Sequence, residues 1–208
     1  MHILIVAHGK APTLHHIYKS LIAETDYVIA CDGGYTYAHL LGITSINDVM
    51  GDFDSLSQKD IQAQKIIPFP KDKEKTDLEL AVEYAISKKP DKITIIGATG
   101  DRLDHTFHNI FLLARFPQIS IKIIDQYNEI FVIEKNKNIL HGAIGQKISF
   151  IPLKLPIKTI HSEGLRYQLN AEWFNHGKLS ISNEFTDLVA MIYLDNDRFL
   201  VIKVLENR

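Results

Sequence analysis

The chain has 208 residues, 46% of them hydrophobic, and a formal net charge of -2, which is enough for one large or two small domains. So balanced a charge gives no general field for a polyanion, and the one basic-looking run, Lys71 to Lys75, is broken by acids, which argues against a nucleic-acid partner. The single cysteine, Cys31, excludes an internal disulfide, and the apolar run of "MHILIVAHG" is too short for a secretory core or a membrane span, so a cytoplasmic protein is expected, with that run as its first strand.

From Met1 to about Asp125 short β-branched runs alternate with stretches of helical period, the pattern of a parallel sheet built through right-handed crossovers. In chain order the expected elements are a strand at Ile3 to Ala7, a helix at Thr13 to Glu24, a strand at Tyr27 to Cys31, and a helix at Tyr35 to Leu41. Strands follow around Val49 to Met50 and at Ile66 to Phe69, then a helix at Leu78 to Lys88 with Thr76 as cap and Glu79 three residues on, as in a capping box. A strand at Ile93 to Ile96, a helix at Asp104 to Arg115 and a strand at Ile119 to Ile124 complete this half.

After Asp125 the helical period disappears. Short alternating runs take over at Ile130 to Ile133, Lys147 to Ile151, Ile157 to Ile160, Lys178 to Ile181, Leu188 to Leu194 and Phe199 to Leu205. "KNKN", "HGAIG" and "LDND" read as the turns between them, and the whole as an antiparallel sandwich or barrel. Two domains are expected, 1 to 125 and 126 to 208.

The polar residues of the first half gather beyond the carboxyl ends of the expected parallel strands, the edge where open α/β sheets bind ligands. Asp32 lies there in "CDGG", Asp52 and Asp54 in "GDFDS", Asp77 in "KTDLE", and the loop "GATGDRLDH" after the fifth strand. Alone, each has an ordinary explanation: Gly33 and Gly34 as turn glycines of positive φ, Asp77 as an acid suited to a helix start, the last loop as a plain connection. Together, four aspartates on one edge would repel one another without a cation, and a hard divalent ion with oxygen ligands, Mg²⁺ where phosphates complete its shell, resolves the conflict. Arg102 then reads as a fork for phosphate oxygens, with Lys73 and Lys75 as movable point charges. Among ten histidines only His105 falls inside the constellation.

The motifs "CDGG", "GDFDS", "KEKTDLE", "GATGDRLDH", "GLRYQL" and "SISNEF", in this order over nearly the whole chain, resemble the signatures of the thiamine pyrophosphokinase family. The resemblance implies transfer of pyrophosphate from ATP to the hydroxyl of thiamine, giving thiamine diphosphate and AMP. It also implies an α/β nucleotide domain, a β-sandwich domain, and a homodimer with thiamine sites at the subunit interface. By position it makes Asp52, Asp54 and Asp77 the Mg²⁺ ligands with Asp32 beside them. On the nucleotide side it sets Asp32, Gly33, Gly34, Lys75 and Thr76, then Gly97, Gly100, Arg102 and His105 with the helix start at Asp104. Tyr167 stands where the family keeps an aromatic beside the thiamine rings, with Ser182 and Asn183 in its substrate-contacting segment. The chain departs from the family pattern at Asp101 for a glycine, Gln168 for a proline and Glu74 for an aspartate.

The implied chemistry is in-line attack of the thiamine hydroxyl on the β-phosphoryl group, with Arg102 drawing charge and Asp104 or an aspartate of the cluster accepting the proton. A pyrophosphokinase acting on a pterin alcohol would use the same phosphate machinery. A phosphatase of the haloacid-dehalogenase type would also carry paired aspartates, but here a glycine precedes the first and the motif comes third along the sheet rather than first. A nucleotide-sensing or thiamine-binding module is the non-enzyme alternative.

Overall fold

A computed structural model of the chain describes residues 1–10, 16–53 and 61–205, less the side chains of residues 16, 17 and 135. The start of the first expected helix and Asp54 lie outside them. The chain divides into two compact units, Met1–Gln126 and Tyr127–Arg208.

In the first unit six parallel strands run in the order β6-β5-β1-β2-β3-β4. They are β1 His2–Val6, β2 Tyr27–Cys31, β3 Asp48–Gly51, β4 Lys65–Pro68, β5 Lys92–Ile96 and β6 Ser120–Ile124. The central ones are buried because both faces are covered, which is why they read as unbroken apolar runs: Ile3, Leu4, Ile5 and Val6 have no exposed surface. Helices α1 His16–Ala23, α2 Gly34–Leu40, α3 Asp77–Ser87 and α4 Leu103–Leu112 lie between strands, and a 3₁₀ turn at Leu113–Arg115 extends the last. Thr76 caps α3 as expected, its hydroxyl accepting the Glu79 N–H at 3.2 Å. The chain steps outward from β1 to β4 and then returns to β5 on the other side of β1, so the order reverses between β1 and β5, the place where such sheets bind ligands.

The second unit is built on two long antiparallel strands, β7 Asn128–His141 and β11 Val189–Val204. β8 Lys147–Pro152 pairs the second half of β11, β9 Ile160–Glu163 pairs its first half, and β10 Ser180–Glu184 pairs β8. "KNKN" and "LDND" do not reverse the chain. They lie opposite each other in a bulge between Leu194 and Arg198, where Asn136 and Asn196 take φ of 52° and 57°. Asparagine tolerates this left-handed conformation, so the ribbon bends and pairing resumes beyond it. The bend brings Leu140, Ala190 and Ile192 from one half and Ile133, Phe199 and Val201 from the other into one core with Phe150 and Phe185, closing a β-sandwich.

The strand expected at Ile157 to Ile160 lies three residues later. Ile157 is buried, but its backbone N–H and C=O bond the Asn175 side chain at 2.7 and 2.9 Å instead of a neighbouring strand. That asparagine ends a one-turn helix, α5 Ala171–Asn175, which the alternating pattern did not announce.

Candidate active site

A cleft of about 660 Å³ opens in the first unit over the ends of β1, β2 and β5. Its floor is two loops laced together. Gly9 N–H donates to the Gly97 carbonyl at 2.6 Å, and Lys10 N–H to the Thr99 carbonyl at 2.9 Å. Gly97 takes φ of +68°, and a Cβ there would stand 2.4 Å from the Ala7 carbonyl oxygen, so glycine is required on both counts. From α4, Asn109 donates to the Ala98 carbonyl at 2.8 Å and the Thr106 hydroxyl accepts the Gly100 N–H at 3.1 Å. The "GATG" loop is thus fixed from both sides before any ligand arrives.

In "CDGG" the left-handed residue is Asp32 itself, with φ of +46°, while Gly33 is right-handed and Gly34 opens α2. These glycines serve close packing: a Cβ on Gly33 would meet the His8 ring at 2.3 Å, and one on Gly34 the Val6 carbonyl oxygen at 2.0 Å. Gly51 is small for a related reason, since Asp32 passes beside it and would approach a Cβ to 3.0 Å.

Of the described residues expected on the nucleotide side, Asp32, Thr76, Asp77, Gly97, Gly100, Arg102 and His105 line the cleft. Gly33 and Gly34 instead pack beneath it, and the Lys75 ammonium binds both oxygens of Glu83, at 2.7 and 2.8 Å. Asp52 follows β3, one strand beyond Asp32. Lys73 Nζ lies 2.9 Å from Asp77 Oδ1, an ion pair without hydrogen-bond geometry, and 5.7 Å from the centre of the Phe69 ring. Arg102 grips Asp104 with two bonds, at 2.9 and 2.6 Å, and holds its carboxyl well below the usual carboxylate range. Burial, then the charges of Asp77 and Asp32, push the Cys31 thiol up, so it lines the cleft as an inert neutral group. Among the described residues no group of three or more His, Cys, Asp or Glu is gathered closely enough to hold a metal unaided.

His8, Lys10 and Tyr37 were missed in the sequence. The His8 ring leans edge-on against Tyr37 at 5.2 Å, and the Tyr37 hydroxyl donates to the Gly9 carbonyl at 2.6 Å. A glycine three residues beyond the first strand of a parallel sheet was the signal for this loop.

In the second unit Tyr167 is 54% exposed. Asn183 is buried, and its amide is fully used: Oδ1 accepts from Tyr167 N–H and Glu184 N–H, while Nδ2 donates to the Tyr167 carbonyl and to Ser180 Oγ. It therefore holds Tyr167 in place rather than presenting an amide to solvent. Ser182 has φ of +55°, and its N–H donates to Ser149 Oγ at 3.0 Å. The Arg166 guanidinium lies 5.6 Å from the centre of the Tyr167 ring and pairs with Glu184 at 3.0 Å.

A glycine loop, a helix start and carboxylates gathered at the switch point of a parallel sheet mark a class, the proteins built to hold a nucleotide by its phosphates. Residues 18–124 match the family model for the thiamin pyrophosphokinase catalytic domain, and residues 130–198 that for its vitamin B1 binding domain. The thiamine pyrophosphokinase of Bacillus subtilis (strain 168) is 37% identical over 152 residues, covering 66% of this chain and 68% of that one. Its crystal structure superposes with a TM-score of 0.83 at 28% identity, covering 100% of both chains. That of a thiamin pyrophosphokinase family protein from Enterococcus faecalis does so with a TM-score of 0.83 at 26% identity, again covering 100% of both. The chain belongs to the thiamine pyrophosphokinase family, ATP-dependent enzymes that transfer pyrophosphate to thiamine.

Proposed function

We propose that the cleft divides the reaction between two groups of residues: Asp32 and Asp77 on its lining, together with Asp52 and Asp54, hold a Mg²⁺ ion, and the 97–100 loop with Arg102 and His105 holds the phosphates of ATP. The observation that carries this reading is that Asp32 and Asp77 face the glycine loop across one cleft. Their oxygens suit the metal, since Mg²⁺ usually takes one or two carboxylates and leaves the rest of its shell to phosphates and water. Asp77 Oδ1, buried and ion-paired but making no hydrogen bond, is such a donor. When bound, Mg²⁺ would supply charge neutralisation at the phosphoryl oxygens.

The protein's own part is positioning. The loop N–H groups and Arg102 orient the β-phosphoryl group for in-line attack by the thiamine hydroxyl, with AMP as leaving group. Arg102 reaches the phosphates by releasing Asp104, which is easy because both side chains are largely exposed. Asp104, once released, or a carboxylate of the opposite wall accepts the proton of the attacking hydroxyl. Tyr167 offers a ring face to the cationic thiazolium, Ser182 contacts the substrate, and Asn183 fixes the tyrosine.

The enzyme works as a homodimer with thiamine sites at the subunit interface. Leu103, Phe107 and Phe111 support this reading: they form one stripe along α4 and are 66%, 58% and 56% exposed, a patch suited to burial against a second copy. The buried Cys31 thiol accords with a reducing, cytoplasmic setting. Among the described residues no helix is long and apolar enough to cross a membrane.

Subunit mixing tests the reading. Asp77→Asn protein and Tyr167→Ala/Ser182→Ala protein should each be nearly inactive. After exchange about half the dimers are mixed, each with one intact site of two, so activity should recover to about a quarter of wild type. Proven exchange without recovery would put both halves of the site in one chain.

A further inference from the structure

We infer that Glu79, which does not line the cleft, is a positioning residue for the transfer: its buried carboxylate locks the start of α3, which carries Thr76 and Asp77 into the cleft, to α4 and the turn behind it, which hold the glycine loop. The inference rests on the reading that Asp77 acts on the nucleotide from one wall of the cleft.

Glu79 is 5% exposed, an unusual position for a carboxylate in the first turn of a helix. Its Oε1 accepts from Arg115 Nη1 at 2.6 Å, and its Oε2 lies 3.7 Å from His108 Nε2. The same imidazole nitrogen is 3.4 Å from the Thr76 hydroxyl, which accepts the Glu79 N–H. The helix cap and the ion pair are therefore one network. Its partners belong to α4 and the 3₁₀ turn behind it, and from α4 Thr106 and Asn109 bind the 97–100 loop. A continuous path of hydrogen bonds and charges thus runs from Asp77's helix turn to the loop that faces it.

In a reciprocal capping box the Glu79 carboxylate would turn back to its own cap residue; here it reaches across to α4 instead. An apolar side chain of similar volume would fill the space between the helices without taking a charge out of water, so packing does not explain the choice. Direction does. The charged bond from Arg115, with the imidazole beside the second oxygen, fixes the rotation of α3 about its own axis, and hence the direction of Asp77, in a way that apolar packing does not. Misplacement of a reacting group by about 1 Å can cost about a hundredfold in rate, so a small slackening here should be read in turnover.

The test is steady-state kinetics of the full chain, with thermal unfolding measured alongside, for Glu79→Gln, Arg115→Gln, Arg115→Lys and the double Gln variant. Glu79→Gln and Arg115→Gln should each lower kcat about tenfold and raise KM for ATP, while KM for thiamine stays put. Arg115→Lys should restore most of the loss, and the double variant should be no slower than either single one, as for two parts of one clamp. Unchanged kcat with only a lower unfolding midpoint would make Glu79 a stability residue and overturn the inference, as would losses that multiply in the double variant. Arg115 is half exposed, so its two variants decide the matter should Glu79→Gln fail to fold. Asp77→Asn measured in parallel separates the two readings: a dead Asp77→Asn with a normal Glu79→Gln refutes the clamp alone, whereas an active Asp77→Asn refutes the cleft assignment.

Discussion

The parallel sheet treats aspartate differently at its two edges. At the amino edge Asp48, which begins β3, is 1% exposed and fully provided for. It accepts the Tyr27 hydroxyl at 2.7 Å and lies 3.6 Å from Lys88 Nζ, which sits 4.5 Å from the ring centres of both Tyr27 and Tyr84. Burial alone would lower the Lys88 ammonium, but the two phenols and the Asp48 charge more than offset it, and its pKa is raised. At the carboxyl edge Asp77 Oδ1 pairs with Lys73 without making a hydrogen bond, and Arg102 holds its exposed neighbour Asp104. Asp48 thus has a hydrogen-bonded phenol and an ammonium held over two rings, whereas the buried Asp77 oxygen has an ion pair without a hydrogen bond.

The largest expected effect is at the carboxyl edge. Asp77→Asn keeps the shape but removes the charge proposed to hold the metal, and turnover should fall at least about a hundredfold, beyond what loss of a supporting contact to a metal ligand usually costs. The unfolding midpoint in divalent-free buffer should hold, because the lost Lys73 pair is offset by relief of repulsion from the neighbouring aspartates. Near-normal turnover would erase the distinction between the edges.

Asp48→Asn is the converse experiment. The amide keeps the Tyr27 bond but not the attraction to Lys88, and the loss should be about 2 kcal/mol by urea unfolding, within the usual range for a hydrogen-bonded buried charge. Turnover at 25 °C should stay within about twofold, since Asp48 lies at the opposite end of β3 from Asp52. A large fall in kcat at unchanged stability would show that the edges are not separate in function.

How far each edge could be read from the sequence follows from the same contrast. The parallel strands announced themselves because burial on both faces makes them continuous apolar runs, and Asp32 and Asp77 were found because they follow such runs or open a helix. Tyr27, Asp48 and Lys88 were silent: their partnership joins positions far apart in sequence, and no local pattern encodes it. His8 and Lys10 escaped because they acquire their place only when β5 returns beside β1, a fact of topology rather than spacing. In the second unit Asn136 and Asn196 carry the chemistry of a turn, and only their opposition in register makes them a bend in one ribbon. Asn183 stood in a motif that implied substrate contact, yet its amide is spent on the backbone of Tyr167, which a motif cannot reveal.

The smallest effect concerns His2, the other enclosed polar group of the amino edge. It is 4% exposed, with Nε2 2.9 Å from the Thr94 hydroxyl and Nδ1 3.1 Å from the Glu24 carbonyl oxygen. Burial lowers its pKa below the ordinary 6.5, and Lys92 and Lys122 add to this against the opposing pull of the Glu24 carbonyl. The unfolded chain therefore takes up a proton near pH 6.5 that the native state still refuses. Stability from this group is complete above that pH and is lost as pH falls from there through the lower native pKa. The chain holds nine other histidines, so the informative quantity is the difference between wild type and His2→Asn in the change of urea midpoint from about pH 7.5 to about pH 5.5. The variant should be less stable at the higher pH and lose less on acidification, with turnover at the higher pH unaltered. Equal acid losses in the two proteins would mean that His2 takes up its proton as readily in the native sheet as in the unfolded chain, with the Glu24 carbonyl and the Thr94 hydroxyl accepting from the imidazolium, and burial would then carry no cost there.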